Sequence, residues 1–457
     1  MNQDFVIKGY WFTPDNLEKK IYGTLIYKPY ERITLELIGS FDEKLDHLKF
    51  LPKSTILGVS TKGSKVTLIN CLISNIDNAF ANMPEVSYLV HLVAVGDHFT
   101  DENSILGFKI SARFNLLEKW MNIFTHKIKF EDPDQVILTA EKPTILKFQI
   151  SKDLLGKILT NNSYDIIPKP DFKFSQVTFL ELESTGGPIN INAFIKKLFH
   201  FRNFLMMGIG EEISLISLIL FSEEEENKTL SKSIEIYFSQ NKPKDDLEKL
   251  TFHDFMFTFK DIKDDFELII CNWFNILELE TITTLIYLFY QNRKSYSENL
   301  LLDGVLGLEV FHRRLRQDTK KLKDDFKEKM ERICENLNKT DAKFLTEKLE
   351  FGYEPNLRRR LRELISELDD DLQRVIFKDK IGKKRFIDRV TNSRNYYTHY
   401  SDSSRTSIAK GKDLLLLAKK TNFLLIIILL KEIGFSIDMI KKSLDNFYNR
   451  VSYFLDK

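Results

Sequence analysis

Cysteine is nearly absent from this 457-residue chain: Cys71, Cys271 and Cys334 stand singly, at least sixty residues apart. Neither a disulfide framework nor a paired-cysteine zinc site can be written from them. Long apolar runs are missing as well. The longest, residues 423–430, is flanked by Lys419, Lys420 and Lys431 and falls far short of the ~20 residues that cross a bilayer. It reads as a buried helix, with no membrane partner. The first residues carry no charged flank, apolar core or small-residue cleavage site of an export signal, so the expected compartment is the cytoplasm. An excess of either charge is also lacking, since 67 basic side chains oppose 66 acidic ones. With 43% hydrophobic residues and 37 phenylalanines, disorder and collagen-like structure are excluded. Length predicts two or three domains, at roughly 100–200 residues each.

Up to about residue 250, short β-branched and aromatic runs (23–27, 33–38, 64–69, 86–93) alternate with Gly, Pro, Asp and Asn clusters, the pattern of strands and turns. Helical spacing interrupts it around 114–124 and 191–206. The charged, proline-bearing stretch at 241–249 reads as a linker. Beyond it apolar residues recur every three or four positions, and Pro355 is the one proline after residue 250. The expected architecture is therefore α+β and multidomain. A β-rich region covers 1–250, with a subdomain break expected near 127–134, and an all-α domain covers 251–457.

Familiar catalytic motifs are absent too. Gly208 and Gly210 lack the third glycine of a dinucleotide fingerprint, Gly382-Lys383 lacks the rest of a phosphate loop, and no H-E-x-x-H occurs. No cofactor and no metal site is implied. The acidic runs 223–226 and 369–371 read as a solvated loop or helix end.

What is present lies in the helical half. Residues 1–250 hold 29 basic and 33 acidic side chains, residues 251–457 hold 38 and 33. Between Arg374 and Arg394, eight cations, Lys383, Lys384, Arg385 and Arg389 among them, face only Asp379 and Asp388. Such a window suits a polyanion, most simply RNA; a solvated helix face is the alternative.

At the end of that window stands Arg394-Asn395-Tyr396-Tyr397-Thr398-His399. Cutting RNA without a metal needs a base for the 2′-hydroxyl proton, an acid for the leaving 5′-oxygen, and a cation for the phosphorane charge. Histidine and arginine fill those roles. Chance alone supplies about one arginine–histidine pair at this spacing in such a composition, so context decides. On a helical wheel Phe386, Val390 and Tyr397 form the core face. Asn395 and His399 then point outward with Lys384 and Asp388, and Arg394 lies at the rim. Tyr396 and Tyr400 read as packing residues or as platforms for bases. Glu309, on a stripe with Leu302, Val305 and Leu306, either pairs with its i+4 neighbour Arg313 or orients Arg394.

An arginine, a polar residue and a histidine five positions on, inside an all-α C-terminal region, resemble the HEPN superfamily. The opening Gly9-Tyr10-Trp11-Phe12-Thr13-Pro14 and the runs 21–27 and 33–39 resemble the N-terminal domain of ApeA-like proteins, bacterial anti-phage abortive-infection factors with a C-terminal HEPN nuclease. The resemblance implies a metal-independent endoribonuclease acting as a toxin; the expected substrate is tRNA or other cellular RNA, whose exposed loops present unstacked bases. It implies a homodimer with two motifs apposed in one cleft; the N-terminal region is expected to sense a phage-derived trigger or to restrain activity. On it, His399 is general base or acid, Arg394 stabilises the scissile phosphate, and Asn395 orients it or holds the histidine tautomer. The products would be 2′,3′-cyclic phosphate and 5′-hydroxyl ends. Two other classes remain open: a non-catalytic HEPN module that binds RNA or nucleotide or only dimerises, and a structural adaptor.

Overall fold

Strict alternation shapes the first half: Ile33, Leu35 and Leu37 are buried while Glu36 and Ile38 face solvent, the period of a strand with one covered face. The computed structural model describes residues 1–457 apart from 2, 43–51, 78–83, 133–134, 142–144, 165–172, 223–231, 245, 277–278, 292–295, 401–407 and 456–457. Two compact units result, Met1–Asn275 and Ile276–Lys457.

Among the described residues of the first unit, twelve strands form one antiparallel sheet. Six of them, Glu85–Val95, Ile33–Ile38, Asn16–Tyr27, Phe5–Thr13, Lys53–Ser60 and Lys65–Asp77, follow one another round a ring. The ring closes where Lys65–Asp77 pairs back onto Glu85–Val95, with Val66 opposite Val95, and closure removes free edges. Trp11 is buried here, and glycine at 58 makes room for it, because a Cβ at that position would lie 2.4 Å from the indole. The other six strands, from Ser233–Phe238 out to Leu146–Ser151, extend from Glu85–Val95 as an open arm.

The arm joins Lys109–Phe114 to Phe174–Ser184 and to Leu215–Phe221, so the sheet spans the break expected near 127–134. That stretch is a separate hairpin, His126–Asp132 with Gln135–Ala140. The helix Ile191–Ile209 is capped by the Asn190 side chain, which accepts the Asn192 N–H at 2.9 Å. The helix Phe266–Asn275 clasps it: the Trp273 indole donates to the His200 carbonyl at 3.1 Å while the His200 ring sits 2.7 Å from the Trp273 carbonyl. These contacts draw the chain beyond 250 into the first unit, so the division falls between 275 and 276 rather than at the expected 250/251.

The described residues of the second unit form helices and their connections. Ser297–Leu315 packs along Gly411–Glu432, whose residues 423–430 are all buried. Gly307 permits the approach, since a Cβ there would lie 2.4 Å from Leu425. The apolar run is thus core of this unit. Leu357–Ser366, Asp370–Phe377, Lys380–His399 and Ile437–Leu455 complete the body, while Thr319–Cys334 and Lys339–Lys348 bury no residue. No helix of the described residues is long and apolar enough to cross a membrane.

Candidate active site

The helix Lys380–His399 starts abruptly. Lys378 takes φ +66°, and the Asp379 N–H closes a three-residue turn onto the Phe377 carbonyl at 2.8 Å. The Asp379 carboxylate then accepts the Gly382 N–H at 2.7 Å, a side-chain cap. Phe386, Ile387, Val390 and Ser393 are buried. The last turns are pinned from outside the helix: the Ser393 hydroxyl accepts the Ala409 N–H at 2.9 Å, and the Tyr397 hydroxyl donates to the Ala409 carbonyl at 2.8 Å. Burial and the charge of Glu298 push the Tyr397 pKa up, which keeps it a donor. The helix ends on Tyr400 in the left-handed region, φ +49°, with its N–H on the Tyr396 carbonyl.

This frame presents the motif as the helical wheel expects. His399 is exposed on the last turn, and among the described residues no partner holds it. Asn395 is exposed one turn earlier, on the same face. Arg394 is half-buried: one guanidinium nitrogen donates to the Asn395 side-chain oxygen at 3.3 Å and the other lies 3.5 Å from a Glu309 oxygen. Glu309 therefore pairs with Arg394, while its i+4 neighbour Arg313 donates to Glu354 at 3.0 Å. Five residues on a helix separate Arg394 and His399 by about 140° of rotation, so one subunit offers the arginine towards Glu309 and the histidine away from it. Tyr396 rests against Tyr397 and Tyr400, ring centroids 5.1 and 5.7 Å apart, and Tyr400 is 70% exposed.

The basic window divides around this helix. Lys383 and Lys384, with Arg362 and Lys380, line a cleft of about 390 Å³. Arg385 and Arg389, with Lys378 and Lys420, line another of about 220 Å³ floored by Phe377, Phe386 and Phe454. Lys383 donates to the Gln373 side chain at 2.9 Å and Arg389 lies 3.3 Å from Asp413. Lys384 and Arg385 are exposed. Lys384 shares the outward face of His399 but stands about four turns, or roughly 22 Å, before it, and Asp388 turns against Arg358.

Asp371 is engaged by Lys441 at 2.8 Å and Arg374 at 3.3 Å. The acidic run 223–226 lies outside the described residues. Among those residues no group of three or more metal-ligating side chains occurs. Sequence reasoning placed Tyr397 on the core face but missed the bond of its hydroxyl, and it missed Ser393 and Ala409. The one signal, Ser393 as a small polar residue on an apolar face, was weak.

The profile of ApeA N-terminal domain 1 matches residues 6–273, and that of the Apea-like HEPN domain matches residues 302–438. The chain belongs to the ApeA family. The ApeA domain ends within two residues of the structural division at Asn275, and the HEPN match includes Glu309, Arg394, Asn395 and His399. HEPN domains are generally ribonucleases, so the helical unit is an RNA-related defence module. No curated protein and no solved structure matches the chain significantly.

Proposed function

We propose that the HEPN domain is a metal-independent endoribonuclease whose active site is assembled from two copies of the Arg394-Asn395…His399 motif. The observation that carries this reading is the combination of an exposed His399, without a partner among the described residues, and an Arg394 paired with Glu309. A one-step displacement needs a base and an acid at once, and each subunit offers one histidine. One His399 takes the 2′-hydroxyl proton as that oxygen attacks phosphorus. The second subunit's copy of His399 gives its proton to the departing 5′-oxygen, leaving 2′,3′-cyclic phosphate and 5′-hydroxyl ends. Arg394 faces the charge that grows on the non-bridging oxygens. Asn395, on the face of His399, orients the phosphate.

In this reading Lys384 and Arg385 guide RNA from a distance, and Tyr400 offers an exposed ring for a base. The substrate is tRNA or another cellular RNA, since unstacked loops expose bases and 2′-hydroxyls. The barrel-containing N-terminal unit receives a phage-derived trigger, and the active dimer works in the cytoplasm as an abortive-infection toxin. Purified protein incubated with total RNA in EDTA should give discrete fragments with 5′-hydroxyl ends. Intact RNA in every state of the protein, including cells challenged with phage, would contradict the reading.

A further inference from the structure

Glu309 has a cation nearer in sequence than Arg394. Arg313 follows it by one turn on the same helix, the spacing that favours an ion pair. Yet Arg313 is drawn to Glu354, and the cause lies beneath. Arg360, 2% exposed, donates to Glu354 at 3.2 Å, to the Pro355 carbonyl at 2.8 Å, to the Gln317 side chain at 2.8 Å, and to His312 Nδ1 at 3.2 Å.

A guanidinium has only donors. His312 Nδ1 must therefore accept, and the ring proton sits on Nε2, which donates to Glu363 at 2.6 Å. His312 is a neutral bridge between a buried cation and a carboxylate. Burying a charge is costly unless its partners are all supplied, and here four neighbours, Glu354, Pro355, Gln317 and His312, supply them. Glu354, fixed by Arg360, is the carboxylate that holds Arg313 away from Glu309.

We propose that the buried His312–Arg360–Glu354 cluster is a positioning device: it sequesters Arg313, so that Glu309 is left to hold Arg394 in register for the phosphate. The inference rests on the reading of Arg394 as the phosphate-facing group. Its physical core, competition between two arginines for one carboxylate, can be tested without RNA.

The test uses the full chain and three variants, Glu354→Ala, Arg313→Gln and the double variant, each checked for folding by circular dichroism. Arg394 accessibility is read by phenylglyoxal labelling and peptide mass spectrometry. Cleavage is read as the single-turnover rate on an RNA that the wild type cuts. Glu354→Ala frees Arg313 to capture Glu309, and Arg394 labelling should rise by roughly threefold or more, the scale of losing a partly exposed ion pair. Arg313→Gln alone should change little, and the double variant should return to the wild-type labelling. A merely structural role for Glu354 would not be rescued by removing Arg313. Should Glu354→Ala not fold, Glu354→Gln, which keeps size and loses charge, carries the same comparison.

Labelling of Glu354→Ala at the wild-type rate, or a double variant that stays as reactive as the single one, overturns the proposal. A wild type that cuts no RNA would count against the nuclease reading alone, because the labelling still decides whether the cluster positions Arg394.

Discussion

His399 and Arg394 differ in how the fold holds them, and substitutions should separate chemistry from stability. His399 is exposed and has no partner among the described residues, so His399→Ala should leave the melting temperature within the narrow range of surface changes, about 0.5 kcal/mol. It should lower the single-turnover rate about 10²–10⁴-fold, the usual loss of a general acid–base group. A thermal melt beside a cleavage assay reads both. His312 should behave in the opposite way. Burial pushes its pKa below the ordinary 6.5, aided by the Arg360 charge and opposed by Glu363 and Glu367. The unfolded chain therefore binds this proton at higher pH than the folded one, so the stability tied to neutral His312 is complete above about pH 6.5 and is lost as pH falls below it. Melting temperatures between pH 7.5 and 5 should show that decline, and His312→Gln, which can still accept from Arg360 and donate to Glu363, should flatten it. At this scale the outward histidine was legible from helical period alone. The choice of Glu354 over Glu309 by Arg313 was not, because it depends on Arg360, a residue 47 positions further along the chain.

The helix Lys380–His399 carries Arg394, Asn395 and His399 on its last two turns, where helices fray. Its pins should therefore matter more than their size suggests. Ser393→Ala leaves the buried Ala409 N–H without its acceptor, which should cost about 1–3 kcal/mol by urea denaturation and slow cleavage at the same time. The basic window can be divided by element as well. Lys384→Gln and Arg385→Gln should each flatten the salt dependence of RNA binding by up to about one unit per lost phosphate contact. Arg389→Gln, whose cation already faces Asp413, should change it less, and none should alter the rate at saturating RNA. Filter binding across a salt series distinguishes them. Helix and strand types followed from the two hydrophobic periods, while axial distance did not: a wheel puts Lys384 beside His399 because it projects away the length of the helix.

The whole molecule joins a ring-closed β unit to a helical unit, and the change from period two to period three or four announced both. The boundary was harder to read, because Phe266–Asn275 is amphipathic like its successors, and its clasp with His200 and the packing of Phe266 on Phe148 assign it to the first unit. If two motifs form one site, titrating His399→Ala protein into a fixed amount of wild type should lower activity as subunits exchange, whereas independent monomers would lose none. The central claim, that His399 drives attack by an RNA 2′-hydroxyl, is tested most directly with one defined RNA and its 2′-deoxy counterpart in EDTA. Wild type should cut the RNA and leave the deoxy strand intact, and folded His399→Ala protein should cut neither. Cleavage of the deoxy strand, or undiminished cutting of the RNA by the variant, would contradict the account.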